Sequence, residues 1–276
     1  MLHTDAHPEM KRDLRFFPSQ TRQPKTLTRT QVNQYNEKGF VFPLDVFETS
    51  EIEANRTFFD DLMDRAAAAG HNSYSINGWD NRFSAIYDLA IESRILDYVE
   101  DLIGPNIVCT MTHFFCKEPG EVKQVAWHQD ASYWPITPSK IVTVWLAVDD
   151  VDDGNGPMTV IPGSHRHGQI PYEKLDDMSS NVLSQSVPNP LDWGDPPVQF
   201  VMKAGQISIH SDLLLHGSAP NYSNRRRCGL TLRYNPPDVR REHQHSGTAI
   251  IARGNESGEY WQHRERPKGN TIPDPR

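Results

Sequence analysis

Two periodicities divide the chain into a helical part and a strand-rich part. Apolar positions recur at helical spacing up to about residue 105, and the last of these helices is predicted to run from Ser93 to Ile103. From about residue 106 the pattern changes to short alternating runs separated by Gly and Pro, which is typical of strands. Many short strands at this spacing predict a β-sandwich or barrel with helices beside it. The predicted strands lie at 107–116, 122–128, 141–148, 158–161, 198–202, 206–210 and 228–234.

Two of the predicted helices begin with a capping-box pattern. Thr28 is followed three residues later by Gln31, and Ser50 is followed three residues later by Glu53. In this pattern each side chain accepts a hydrogen bond from the backbone N–H of the other residue. We therefore expect helices to start at these two points, the second of them ending at Gly70.

The same patterns divide the chain into three segments. Residues 1–27 have no periodic apolar pattern and are predicted to form a flexible arm. Residues 28–237 are predicted to form one domain, with helices to about 105 and the β core at 106–237. Residues 238–276 are predicted to form a polar, highly charged tail. Within the core, the polar segment 168–197 is predicted to be a long loop, of the kind that often acts as a lid.

Composition narrows the class of protein. The formal net charge is −8 over 276 residues with acids and bases mixed, which gives no reason to expect nucleic acid or an anionic membrane as a partner. No segment approaches the roughly 20 apolar residues that a membrane span needs. The cysteines, Cys109, Cys116 and Cys228, are too widely spaced for a disulfide framework, so a reduced, cytoplasmic location is expected. The sequence gives no indication of the oligomeric state.

The triplet His128-Gln129-Asp130 carries the clearest chemical signal. Residues i and i+2 of a strand face the same side, so an imidazole and a carboxylate project together. His216 supplies a second imidazole if the fold brings it back to this pair. Two histidines and one carboxylate form a facial triad that leaves coordination positions open, as in non-haem Fe(II) oxygenases. The spacing therefore predicts a metal centre of His128, Asp130 and His216.

An arginine eleven residues after His216 adds a candidate anion site. An oxygenase that uses 2-oxoglutarate must bind the far carboxylate of that co-substrate. Arg227 offers a permanently charged, fork-shaped group for this purpose, and the hydroxyl of Ser218 can complete the pocket.

Four motifs, in this order, resemble the phytanoyl-CoA dioxygenase family of Fe(II)/2-oxoglutarate oxygenases. The resemblance covers roughly residues 28–237 and implies a mainly β fold with flanking α-helices, a cupin-like jelly roll known as a double-stranded β-helix. It also implies Fe(II), 2-oxoglutarate and O2 as cofactor and co-substrates. The motifs are Trp127–Asp130, Val144–Ala147, Val160–His165, and His216–Ser218 followed by Arg227.

The resemblance assigns roles residue by residue. His128, Asp130 and His216 are the implied iron ligands, while Arg227 binds the distal carboxylate of 2-oxoglutarate and Ser218 assists it.

Trp145 matches an aromatic residue that lines the co-substrate pocket, although its strand position equally suits a core residue. Lys117 lies where family members often have a basic residue.

Other residues of the same types have plainer interpretations. His165 and His167 lie in a turn that follows a strand and are expected to be structural, and His210 is expected to be a strand-end residue. Arg233 shares strand parity with Arg227 and could face the same cavity. We favour a salt bridge for it.

The presence of Asp130 bears on the reaction. Related halogenases carry a small residue at this position, which vacates a coordination site for chloride, whereas this chain keeps the carboxylate. The resemblance therefore implies hydroxylation of a C–H bond of a small-molecule substrate, with release of succinate and CO2. Two alternatives stay open: a metal-dependent hydrolase or isomerase on a cupin-like barrel, and a non-catalytic jelly-roll binding module.

Overall fold

The chain folds into two facing β-sheets with helices on one side. The computed structural model describes residues 1–72, 74, 76–176, 178–241, 247–254 and 259–274. The helices are α1 (Arg29–Lys38), α2 (Thr49–Ala68), α3 (Ser84–Ala90) and α4 (Ser93–Ile103). The strands are β1 (Leu2–His3), β2 (Phe40–Asp45), β3 (Ile107–Lys117), β4 (Val125–His128), β5 (Ile136–Thr137), β6 (Val142–Ala147), β7 (Met158–Val160), β8 (Tyr172–Lys174), β9 (Gln185–Ser186), β10 (Val198–Gln199), β11 (Gln206–Ser211), β12 (His216–Ser218), β13 (Arg227–Asn235), β14 (Arg240–Arg241), β15 (Gly247–Arg253) and β16 (Trp261–His263).

The two sheets enclose a pocket between them. The major sheet has seven strands in the order β16-β15-β3-β13-β6-β11-β2, and the minor sheet has four in the order β10-β7-β12-β4. Side chains from β3, β6, β11 and β13 of the first sheet and from β4, β7 and β12 of the second line one pocket. This arrangement confirms the expected mainly β, cupin-like double-stranded β-helix.

Strand β6 shows how the sequence builds both sides of the major sheet. Its even positions, Val142, Val144 and Leu146, lie in the hydrophobic core that packs against the helices. Its odd positions, Thr143 and Trp145, face the pocket. Because both faces are covered, the whole strand is buried, and the pattern of residue types marks the two sides.

The helix ends follow the predicted caps in part. Thr28 and Gln31 form the expected capping box at the start of α1. The corresponding box of α2 is formed by Glu48 and Glu51, so the prediction of a cap at Ser50 was wrong by two residues. An N-cap glutamate is uncommon, which explains why the serine pattern was the stronger sequence signal. Helix α3 was not predicted.

Residues 1–27 pack against the β core, in contrast to the flexible arm that the sequence predicts. Strand β1 pairs with β8, and Arg12 anchors the rest of the segment. The Arg12 side chain is 0% exposed, pairs with Asp5, and donates to the carbonyl oxygens of Ala131 (2.8 Å) and Trp134 (2.6 Å). The buried guanidinium thus fixes the middle of the segment, and such a contact leaves no periodic pattern in the sequence.

The last part of the chain extends the major sheet instead of forming only a polar tail. Strand β15 pairs with β3, β16 pairs with β15, and β14 pairs with β5. Ala249 and Ile250 are buried. The segment 168–197 likewise contains β8, β9 and the buried Tyr172, so it is more ordered than the predicted loop. No described helix combines the length and apolar composition of a membrane-spanning segment.

Replacing Arg12 with alanine should lower the free energy of unfolding by about 2–3 kcal/mol, because two buried carbonyl oxygens lose their donor. Urea denaturation followed by fluorescence measures this change. Arg15→Ala is the matched control, because the Arg15 side chain is 74% exposed and contacts only its near neighbours in sequence, Asp13 and Phe17, among the described residues. Equal unfolding midpoints for the wild type and Arg12→Ala would contradict the anchoring role.

Candidate metal centre and anion pocket

Two histidines meet on neighbouring strands of the minor sheet. Strands β4 and β12 pair antiparallel, and His216 lies opposite His128 in the register. Their ring centroids are 4.1 Å apart. One ligand atom from each histidine and one from Asp130 lie within 4.8 Å of one another, and all three residues are buried. The structure therefore brings together the three residues that the sequence predicts as metal ligands.

Backbone hydrogen bonds fix the tautomer of both imidazoles. The Nδ1 of His128 is 2.8 Å from the carbonyl oxygen of Ala126, and the Nδ1 of His216 is 2.9 Å from that of Leu214. A carbonyl oxygen only accepts, so each Nδ1 carries the proton and each Nε2 keeps a lone pair. Burial, followed by the nearby His128, holds the pKa of His216 well below its usual value, so this ring stays neutral.

Asp130 is held as a carboxylate by groups on the major sheet. The hydroxyl of Thr143 donates to Oδ2 at 3.0 Å, and the Nε of Arg233 lies 3.8 Å from the same oxygen. Burial raises the pKa of Asp130, but Arg233 and His128 outweigh it and leave the pKa below the usual range. Oδ1 lies 3.7 Å from the Nε2 of His128, so it faces the imidazoles.

The residue between the two ligands points away from the centre. Gln129 donates to the carbonyl oxygens of Leu213 (2.6 Å) and Gly168 (2.9 Å), and it accepts from the backbone of Ile170 (2.7 Å). Strand alternation therefore gives the triplet two functions. His128 and Asp130 face the pocket, while Gln129 ties this strand end to two neighbouring segments.

The donor set fits a divalent transition metal. Two Nε2 lone pairs and one carboxylate converge from one side, and both imidazoles are oriented through their other nitrogen by backbone carbonyls, as is usual for metal-bound histidines. A set of two nitrogens and one carboxylate suits Fe(II) with further positions left for other ligands.

The predicted anion pocket also assembles. The buried Arg227 donates from Nε (3.1 Å) and Nη2 (2.8 Å) to the carbonyl oxygen of Gly156, and Nη2 lies 3.3 Å from the hydroxyl of Ser218. Its guanidinium lies over the ring of Trp145, 5.6 Å from the ring to the guanidinium carbon. Arg227, Ser218 and Trp145 therefore line the same pocket as the candidate metal ligands.

Trp145 can occupy this position because its diagonal neighbour on β13, Gly229, has no side chain. A Cβ added to Gly229 would lie 2.0 Å from the indole ring. Gly229 is thus required by close packing on the pocket face of β13.

Lys117 takes a different place from the other predicted pocket residues. Its Nζ contacts the carbonyl oxygens of Ser218 (3.3 Å), Ala219 and Lys123 (3.4 Å), and it is outside the set of described residues that line the pocket. Burial, followed by the positive charge of Arg227, lowers the pKa of Lys117 to about 6. The side chain supports the β12 segment that carries Ser218.

Of the other candidate residues, His165 and His167 have structural contacts, whereas His210 and Arg233 line the pocket. His165 is buried with its Nε2 3.1 Å from the carbonyl oxygen of Asn36, which agrees with the structural interpretation, and His167 lies edge-on to Trp193. His210 lines the pocket instead of simply ending a strand, with its ring centroid 4.9 Å from that of His216. Arg233 lines the pocket and forms the favoured salt bridge, with Asp130.

Sequence reasoning missed several residues that position the site. Thr143 holds Asp130, Thr231 accepts from Arg233, and the carbonyl of Gly156 orients Arg227. Thr143 could have been found, since it shares strand parity with Trp145. The Gly156 contact involves backbone only and leaves no residue-type signal. The pocket-lining residues are Phe115, Val125, His128, Asp130, Thr143, Trp145, Met158, His210, His216, Gly217, Ser218, Arg227, Thr231 and Arg233.

Comparison with known proteins adds relatives in sequence and in fold. A peroxisomal phytanoyl-CoA dioxygenase of Bos taurus is 32% identical over 146 residues, which are 51% of this chain and 43% of that protein. A probable alpha-ketoglutarate-dependent hypophosphite dioxygenase of Stutzerimonas stutzeri is 28% identical over 163 residues, 57% of this chain and 55% of that protein. The chain thus spans about half the length of these relatives.

A solved structure shares most of the fold. It is described as a non-heme monooxygenase, ThoJ in its apo form, and it matches with a TM-score of 0.75 and 25% identity over 86% of this chain and 88% of that one.

The family model covers the part of the chain that carries the site. It matches residues 35–229, well over half of the chain, and this range contains the histidine–aspartate triad, Arg227 and Trp145. The expectation of a non-haem iron and 2-oxoglutarate enzyme family is confirmed. From this match, together with the sheets that hold these residues, the chain belongs to the phytanoyl-CoA dioxygenase (PhyH) family.

Proposed function

We propose that this protein is an Fe(II)- and 2-oxoglutarate-dependent dioxygenase that hydroxylates a C–H bond of a small-molecule substrate and releases succinate and CO2. One observation carries the proposal: a facial set of metal ligands and a buried arginine pocket line the same cavity. A hydrolase or isomerase would use the triad alone and would leave Arg227 and Ser218 without a function. Family membership supports the same assignment.

His128, Asp130 and His216 would hold the iron. The chemistry that iron supplies when bound is the activation of O2, for which the decarboxylation of 2-oxoglutarate provides two electrons. The backbone carbonyls behind both histidines and the hydroxyl of Thr143 keep the three ligands in place without a metal-induced rearrangement.

Arg227 would bind the distal carboxylate of 2-oxoglutarate. Two of its donors share the carbonyl oxygen of Gly156, which fixes the plane of the guanidinium and presents the rest of the fork to the pocket. Ser218 is within hydrogen-bond distance and can donate to the same anion. Because the lowered pKa of Lys117 leaves its amine largely neutral above pH 6, Arg227 is the permanent cation at this end.

The carboxylate of Asp130 bears on the outcome of the reaction. It would hold the metal at a position that a halide would otherwise take, so oxygen transfer to carbon is proposed in preference to halogenation. Phe115, Val125 and Met158 lie beside Ser218 and Gly229, so they supply an apolar wall at the Arg227 end of the pocket, where the methylene groups of 2-oxoglutarate would lie.

An anaerobic titration with Fe(II) and 2-oxoglutarate tests the proposal. The wild type should develop the weak visible charge-transfer band of the metal chelate, and His216→Ala should abolish it. Arg227→Ala should weaken 2-oxoglutarate binding about 10- to 100-fold, because a buried charged hydrogen-bond partner is lost.

Arg225→Ala is the matched control, since Arg225 is half exposed and pairs with Asp152 away from the pocket. Absence of the band in folded wild-type protein would refute the proposal. Succinate release stimulated by a candidate substrate would then identify what is hydroxylated.

Lys117→Met should change how stability depends on pH. In the wild type the folded state loses the Lys117 proton near pH 6, whereas an unfolded lysine keeps it to about pH 10. Between these values the unfolded state binds more protons, so this group makes the free energy of unfolding rise with pH, by at most about 1.4 kcal/mol per unit.

Urea denaturation at pH 6.5, 7.5 and 8.5 measures this effect. The wild type should gain stability relative to Lys117→Met as the pH rises, and the exposed Lys174→Met should show no such trend. A difference between wild type and Lys117→Met that stays constant with pH would contradict burial as the cause.

A further inference from the structure

We propose that Arg233 and His210 form a binding site for one acidic group of the substrate, a carboxylate or a phosphorus oxyacid. The inference deepens the proposed function and rests on it, because it assigns a role to the end of the same pocket that lies away from Arg227. The substrates would therefore be small molecules that carry a single anionic group beside the carbon that is oxidised.

Arg233 and His210 lie in one cross-strand row of the major sheet. His210 on β11 and Arg233 on β13 both pair with Thr143 on β6, which stands between them. Thr143 contacts Asp130, so the row lies on the Asp130 side of the triad. Arg227 is six residues away along β13, about 20 Å between Cα atoms. The two arginines therefore serve opposite ends of the pocket.

Both groups are buried without complete hydrogen bonding. Arg233 is 5% exposed, and its Nε has no hydrogen-bond partner among the described residues. His210 is 1% exposed, and within the same part of the chain neither ring nitrogen has a partner. Leaving buried polar groups unpaired costs roughly 1–3 kcal/mol each. A ligand group with acceptor oxygens, placed between them, would accept from the Nε of Arg233 and from one ring N–H of His210.

The guanidinium of Arg233 is held in one orientation. Its Nη1 donates to the hydroxyl of Thr231 at 3.0 Å, and its plane lies over the ring of Trp134, 4.9 Å from the ring to the guanidinium carbon. The backbone of Trp134 is in turn held by Arg12. Because little side-chain entropy is left to lose, the group is prepared for binding before the ligand arrives.

The charge of the loaded pocket points to an anion. Fe(II), Arg227 and Arg233 carry four positive charges, while Asp130 and the 2-oxoglutarate dianion carry three negative ones. One positive charge is left among buried side chains, and a monoanionic substrate would neutralise it.

The competing interpretation is that Arg233 serves only to orient Asp130. The two groups are 3.8 Å apart, beyond hydrogen-bond distance, and Oδ2 of Asp130 already accepts from Thr143. A purely orienting role predicts that loss of Arg233 weakens metal binding and leaves the affinity for acids unchanged. An acid site predicts that loss of Arg233 weakens the affinity for acids and leaves metal binding intact.

Calorimetric titration of the anaerobic Fe(II)–2-oxoglutarate complex with simple acids separates these cases. The probes are straight-chain carboxylates from acetate to octanoate, the matching alkylphosphonates, and the neutral amides of the same lengths. Saturating 2-oxoglutarate keeps Arg227 occupied, so binding reports on the second site. The wild type should bind at least one acid and not its amide, and the preferred series distinguishes carboxylate from phosphonate.

Arg233→Gln should bind that acid about 10- to 100-fold more weakly while the charge-transfer band persists. Arg233→Lys should retain part of the affinity, and His210→Leu provides a second test should Arg233→Gln fail to fold. Arg225→Gln, which removes an exposed arginine, should bind like the wild type.

The outcomes keep the two proposals distinct. No acid binding to a wild-type complex that shows the band would overturn the acid site and leave the oxygenase assignment intact. Unchanged acid affinity in both Arg233→Gln and His210→Leu would also overturn the acid site. So would an Arg233→Gln variant that loses the charge-transfer band but keeps its acid affinity. A missing band in the wild type refutes the oxygenase assignment, and the acid site with it.

Discussion

The antiparallel pairing of β4 with β12 is the constraint on which the site depends. It sets His216 opposite His128, and it brings together two residues that are 88 positions apart in the chain. Because side chains alternate across a strand, a shift of one residue in this pairing would turn one imidazole out of the pocket. The register in turn is kept by Gln129, which ties the end of β4 to the segments at Gly168 and Leu213.

The major sheet supplies what the minor sheet cannot. The minor sheet brings two imidazoles, whereas the charged and hydroxyl groups that hold Asp130, and that are proposed to bind anions, come mostly from β6 and β13. Burying Arg227 and Arg233 is costly in free energy, and the cost is offset only where each has acceptors or a carboxylate nearby. The pocket therefore concentrates polar groups that would destabilise an ordinary hydrophobic core.

Local sequence patterns predicted which residues meet in the pocket, but they predicted the structure of the N- and C-terminal segments poorly. His128 ends β4 and Asp130 follows two residues later, and a short connection joins His216 on β12 to Arg227 on β13, so the sequence carries both spacings directly. Helix α4 was likewise predicted with the bounds that the structure shows, because its apolar face and terminal glycine are local features. The strand parity of Thr143 places it on the pocket face, but its hydrogen bond to Asp130 is a tertiary contact that the parity does not predict.

Long-range pairing explains the other differences. Strand β15 joins the major sheet through β3, more than a hundred residues earlier in the chain, and β16 is added through its pairing with β15. The short apolar run of β15 is embedded in charged sequence. The N-terminal segment is fixed by scattered contacts, among them the buried Arg12, the pairing of β1 with β8 and the bonds of residues 25–27 to Asp101, instead of a periodic apolar face. In both cases the stabilising contacts are tertiary, and no local periodicity predicts them.

The loop that carries Trp134 is held from both ends of the chain. Arg12 binds its carbonyl oxygens from the N-terminal side, and β14 pairs with β5 from the C-terminal side. Both supports lie outside residues 35–229, the range shared with the family. Divergence in these flanking segments can therefore reshape the pocket wall while every ligand stays unchanged, so relatives with identical triads need not accept the same molecules.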